Sequence, residues 1–138
     1  MKKIIVIIVL ALTLVFCIAL YEKTMPPTLT IEAQRGHIEA TQSSYCWASF
    51  FSASCVDMVE PSHMQVTSLS VQAGEIITLQ FSEKPLSDTL TISQIDGGNV
   101  TTNTSFITPN MPGSYMYVVS GQWSRGSASY VFSLQVRA

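Results

Sequence analysis

The chain has 138 residues, 47% hydrophobic and only 12% charged, with a formal net charge of −2 and a mean hydropathy of +0.32. That is apolar material enough for one packed domain, and it excludes both a disordered chain and an enzyme of several domains. Seven basic residues against nine acidic ones make no positive surface for a phosphate backbone, so no nucleic-acid partner is expected.

The amino terminus reads as an apolar helix. Lys2 and Lys3 precede an uncharged run from Ile4 to Leu20, and Tyr21, Glu22 and Lys23 restore polarity. A secretory core spans about 7–15 residues and a membrane span about 17–25, so residues 1–20 form a signal or anchor segment by length alone. Cleavage lacks a good Ala-x-Ala site, with Cys17 and Ala19 the best small pair. Lipidation at Cys17 departs from the usual pattern because Phe16 stands where a small residue belongs. A retained anchor is therefore the favoured expectation, with a secreted or lipid-anchored chain as alternatives. Lysines before the run place the amino end in the cytoplasm and the chain from about Tyr21 onward outside. The membrane, through residues 4–20, is the first expected partner. The Met-Lys-Lys opening looks bacterial.

Residues 21–27 contain Thr24-Met25-Pro26-Pro27, which predicts a stiff spacer, and residues 28–138 form the domain. From Thr28 onward short apolar runs of period two alternate with Gly, Pro, Asn and Asp, the signature of an all-β fold. Leu29 and Ile31 face Ile38 and Ala40 across the turn 34–37. Val66–Val71 and Ile76–Phe81 flank the turn 72–75. Leu90–Ile95 leads into Asp96-Gly97-Gly98, whose glycines tolerate the positive φ of a tight turn, and Asn99–Phe106 follows as a polar edge strand. The last pair is the clearest. Tyr115, Tyr117, Val119 and Trp123 share one side of a strand, Ala128, Tyr130, Phe132, Leu134 and Val136 share one side of the next, and Ser124-Arg125-Gly126 turns between them. The expected fold is an antiparallel β-sandwich of seven or eight strands behind the N-terminal helix. A tyrosine just after a Pro-Gly turn, Tyr115, is placed to form a tyrosine corner.

An exported domain meets an oxidising environment, where Cys46 and Cys55 are expected to pair across a short loop. The link is structural, because no Cys-x-x-Cys spacing or zinc knuckle is present. The enclosed segment carries Trp47, Phe50 and Phe51 among small residues, and two readings stand side by side. Either the rings cap the open end of the sandwich, or Phe50 and Phe51 form an apolar tip for a partner or lipid.

Pro112-Gly113-Ser114-Tyr115, Trp123 and Gly126–Phe132 resemble the last two strands of small bacterial immunoglobulin-like domains. Tyr45-Cys46-Trp47, followed by Cys55-Val56-Asp57 and Pro61, is similar to a group of small exported proteins and lipoproteins of Firmicutes that share that hairpin. The resemblance implies an immunoglobulin-like sandwich with a disulfide, and it brings no activity or ligand.

Candidate chemistry is sparse. No Gly-x-Ser-x-Gly is present, and His37 falls beside a turn with no carboxylate fixed next to it. The stretch 57–64 gathers acids, His63, Met58 and Met64, types that suit a cuprous ion, and these three are the weak metal candidates. No resident cofactor and no catalytic residue is expected. The leading expectation is a membrane-tethered extracytoplasmic binding or accessory module for an envelope protein, polymer or small ligand. A small-ligand or copper sensor or carrier is the alternative, and an envelope hydrolase comes behind both.

Overall fold

The structure, a computed structural model, describes residues 1–21, 24–49, 52–57, 60 and 63–138. Helix α1 (Lys2–Tyr21) holds an 18-residue window, Lys2–Ala19, of mean hydropathy 2.6. It is long and apolar enough to cross a membrane, and none of that window is buried against the rest of the chain.

Eleven strands among the described residues form two sheets: β1 (Leu29–Ala33), β2 (Gly36–Glu39), β3 (Thr41–Ala48), β4 (Ala53–Val56), β5 (Ser68–Gln72), β6 (Ile76–Phe81), β7 (Thr91–Gln94), β8 (Gly98–Thr101), β9 (Ser105–Ile107), β10 (Gly113–Trp123) and β11 (Gly126–Arg137). The smaller sheet has the order β2-β1-β6-β9. The larger runs β4-β3-β11-β10-β7-β8, with β5 on β11. Pairing is antiparallel except for β5, which runs parallel to β11 from Ser68 opposite Ser133 to Gln72 opposite Arg137. Strands β6 and β9 occupy the places of B and E in an immunoglobulin-like sandwich, and β7, β10 and β11 those of C, F and G. The β1–β2 hairpin extends the first sheet and the β3–β4 ribbon the second.

The strand count exceeds the seven or eight expected, for identifiable reasons. Asn99–Phe106 is not one strand: the chain bends at Thr102–Thr104 to pass from the larger sheet to the smaller, which leaves β8 and β9. The run expected from Val66 begins at Ser68, and β5 and β6 lie in different sheets. In the β7–β8 turn the positive φ falls on Asp96 (68°) and Gly98 (79°), with Gly97 outside that region. Between the cysteines, Trp47 and Ala48 belong to β3, and Ala53 and Ser54 to β4. Pro26 and Pro27, expected in a free spacer, are buried, and the Tyr130 hydroxyl donates to the Pro27 carbonyl.

Apolar alternation places the core between the sheets. Strand β11 buries Ala128, Tyr130, Phe132, Leu134 and Val136, and β10 buries Tyr117, Val119 and Trp123 opposite Leu29, Ile31, Ile77, Leu79 and Phe106. The aromatic rings form two groups. Trp47, Phe81, Trp123 and Tyr130 meet edge to face, Trp123 lying 5.6 Å from Phe81 and 6.1 Å from Trp47. Tyr117 stacks on Phe132 at 5.2 Å beside Phe106. Such contacts add about 0.5–1.5 kcal/mol each beyond the area they bury. The Tyr115 hydroxyl donates to the Met111 carbonyl at 2.9 Å, the expected tyrosine corner.

Candidate functional site

The β3–β4 ribbon is built unlike the rest of the sandwich. Strand β3 keeps its inner edge on β11, from Trp47 opposite Gly126 to Thr41 opposite Val131. Between Tyr45 and Gln42 two residues of β3 face the single Ser129 of β11, a bulge that bends the strand. On the other side, β4 pairs only with the second half of β3, Tyr45–Ala48 opposite Val56–Ala53. All four residues of β4 are exposed, so main-chain pairing and the crosslink carry it without buried side chains.

Cys46 and Cys55 are directly opposite in this ladder and form a disulfide, with Cα atoms 4.1 Å apart. That separation marks the non-hydrogen-bonded type of antiparallel pair. Two further contacts agree. Ala48 donates its N–H to the Arg125 carbonyl, and the Cys46 carbonyl lies where a Cβ on Gly126 would stand, 1.9 Å away. The main chain of Cys46 and Ala48 therefore faces β11, and that of Cys55 and Ala53 faces away from β3. Ser49 closes the ribbon by donating its N–H to the Ser52 carbonyl at 2.7 Å, reinforced by a 2.9 Å contact between the two hydroxyls.

Trp47 is buried in the core against Trp123. Phe50 and Phe51 lie outside the described residues. So does Met58. The other two metal candidates, His63 and Met64, share a cleft of about 380 Å³ with Asp57, Gln42 and Val56 at the end of the ribbon. His63 is exposed and sits 3.8 Å from the Glu60 carboxylate, also exposed. The Gln42 amide nitrogen is buried, with no hydrogen-bond partner among the described residues. Among the described residues no three His, Cys, Asp or Glu side chains come together as a metal cluster. His37 is exposed on β2.

Other polar features hold the fold together. Glu75 is buried, and its two carboxylate oxygens accept the N–H groups of Gln34 and Gln72 at 2.6 and 2.8 Å, which clasps the β1–β2 turn to the β5–β6 turn. Its own N–H donates to the Thr108 hydroxyl, which donates in turn to the Gln72 carbonyl. The sequence carries no local signal for this clasp, because Gln34 lies 41 residues from Glu75. A cleft of about 710 Å³ lies between the end of β6, the loop 84–90 and the crossing segment 102–104. Burial pushes the Tyr117 phenol up to about 12, helped by the nearby Tyr115, and burial alone raises that of Tyr130.

No known family model, curated protein or solved structure matches this chain.

Proposed function

We propose that this protein is a membrane-tethered extracytoplasmic binding module, a disulfide-pinned sandwich that presents its surface to a partner and performs no chemistry of its own. The observation that carries this reading is α1, whose 18-residue apolar window is buried against no other part of the protein. Apolar surface of that extent has its natural solvent in lipid. Lys2 and Lys3 favour the orientation with the sandwich outside, where the Cys46–Cys55 bond is stable. The likeness to small exported Firmicute proteins belongs to the same proposal. The test is membrane extraction of the full chain at alkaline pH, combined with protease shaving of intact cells and proximity cross-linking in the native envelope. Recovery in the soluble cytoplasmic fraction with both thiols free would overturn the tether, and cross-linking without a reproducible captured species would overturn the binding role.

A second reading, a copper-handling domain, draws on the cleft that gathers Asp57, His63 and Met64. Titration of the purified chain with cuprous ion under anaerobic conditions decides it: stoichiometric binding that His63→Ala removes supports it, and its absence sinks it.

A further inference from the structure

Five strands lie at the edges of the two sheets, and they are not equally protected. On one flank β2 and β5 stand beside each other across the two sheets. On the opposite flank β9 has only three residues, and β8 carries a register break against β7 and begins with a glycine. These are the usual devices by which sheet edges avoid foreign strands. Strand β4 has none of them beyond its four-residue length. It carries no charge, proline or bulge, and nothing among the described residues pairs with its outer side.

The disulfide decides what that edge offers. Because Cys46 and Cys55 form a non-hydrogen-bonded pair, the N–H and C=O of Cys55 and Ala53 point outward, two donors and two acceptors at strand spacing. Their complement is the main chain of another extended polypeptide. The crosslink holds this edge rigid before anything binds, which lowers the ordering cost of adding a strand. Charge narrows the partner further. From Gly36 to Glu83 the chain has no lysine or arginine, and the exposed carboxylate of Asp57 follows directly on β4.

We propose that β4 is a strand-addition site that captures an extended, β-forming polypeptide segment with a basic residue beside Asp57, through main-chain hydrogen bonds to Ala53 and Cys55. This rests on the binding-module reading and names the surface and the class of partner. Val56, 43% exposed, offers the one large apolar side chain of the strand, so the segment carries a β-branched residue opposite it.

The probe is a dye-labelled peptide, Lys-Thr-Val-Thr-Val, titrated by fluorescence anisotropy against the purified full chain in nanodiscs. Saturable binding with Kd on the order of 0.1–1 mM is expected for so short a strand. Ala53→Pro removes one outward donor without touching the β3–β4 ladder, and it should weaken binding at least about tenfold with the melting temperature nearly unchanged. Ser54→Pro, whose N–H faces β3, should instead strip the Val56 amide of its protection from hydrogen exchange. Should Ala53→Pro fail to fold, Val56→Lys takes its place: a gatekeeper charge at an exposed position, with the same loss of binding expected. Replacing the peptide lysine by glutamate should weaken binding several-fold. No saturation below about 5 mM, or full binding by the edge variants, overturns the proposal, and equal binding of the glutamate peptide overturns its charge component. A concentration-dependent dimer abolished by Ala53→Pro overturns it in favour of a second copy of this chain. Binding here does not depend on where the protein resides, so failure of the tether and failure of this site are separate results.

Discussion

Strands β10 and β11 make a long antiparallel hairpin, and β3 and β4 make a short one in the same sheet, yet the two have opposite energetics. The first buries an aromatic or aliphatic side chain at nearly every second position between two sheets. The second buries Trp47 and Ser43 from β3 and nothing from β4. Hydrogen-bonded pairing is common to both and is modest in net effect, at about 0.5–1.5 kcal/mol per bond. What separates them is the apolar surface removed from water, at about 25 cal/mol per Å². One hairpin stabilises the domain, and the other uses a covalent link to keep its shape at the rim. A strand that contributes little to stability is free to vary with its partner.

The sharpest way to break this comparison is to truncate one side chain in each hairpin. Phe132→Ala removes a side chain with no solvent exposure that stacks on Tyr117, and it should destabilise the domain by about 3–5 kcal/mol in denaturant titration. Val56→Ala on β4 should change stability by less than about 0.5 kcal/mol. Equal effects would show that β4 is covered in solution.

Gly126 joins the two regions, since β11 starts there opposite Trp47. An added Cβ would stand 1.9 Å from the Cys46 carbonyl oxygen and 3.1 Å from the Trp47 Cα, both backbone, and φ is +155°. Gly126→Ala must therefore push β3 away from β11, at about 2–4 kcal/mol in the same titration. A change within about 0.5 kcal/mol would mean the ribbon rides loosely on the core hairpin.

Alkaline titration sharpens the contrast without mutation. Tyr117 and Tyr130 hold raised phenol pKa values in the core, so the folded state binds their protons more tightly than the unfolded chain does. The stability this provides is complete below about pH 10 and is lost as pH climbs through about 12 for Tyr117, later still for Tyr130. Phenolate absorbance from this core pair should accordingly appear only with unfolding. Ionisation of both near pH 10 with the fold intact would show that water reaches the core hairpin.

The core hairpin was legible in the sequence because its signals are local: period two, a three-residue turn ending in glycine, and a Pro-Gly step before Tyr115. The β1–β2 pair, the tyrosine corner and the disulfide were legible for the same reason. The ribbon was not. Thr41–Ala48 is mostly polar and has no clean alternation, and it is a strand because β11 offers it an edge eighty residues away in sequence, about the separation that local patterns cannot carry. The parallel β5–β11 pair, the crossing at Thr102–Thr104 and the clasp of Glu75 on Gln34 are long-range in the same sense. At the candidate site the sequence named the cysteines and Trp47, but the outward-facing main chain of Ala53 and Cys55 has no residue signature. It follows from register alone.

The smallest expected effect tests the comparison most closely. Closing the loop between Cys46 and Cys55 should stabilise the fold by about 2–3 kcal/mol if the crosslink restricted only the unfolded chain. That figure assumes that β4 stays in place when the bond is reduced. With no buried side chain, β4 is held by main-chain bonds at the solvent-exposed rim, so once reduced it should fray, and the native state regains much of the freedom the unfolded chain gains. Global stability should then fall by less than about 1 kcal/mol on reduction, while the amides of Ser54 and Val56, which face β3, lose their protection from hydrogen exchange. The amides of Val119 and Phe132 should keep theirs. A uniform loss across both hairpins would place β4 inside the cooperative core, and the division between a stabilising hairpin and a displayed one would fall.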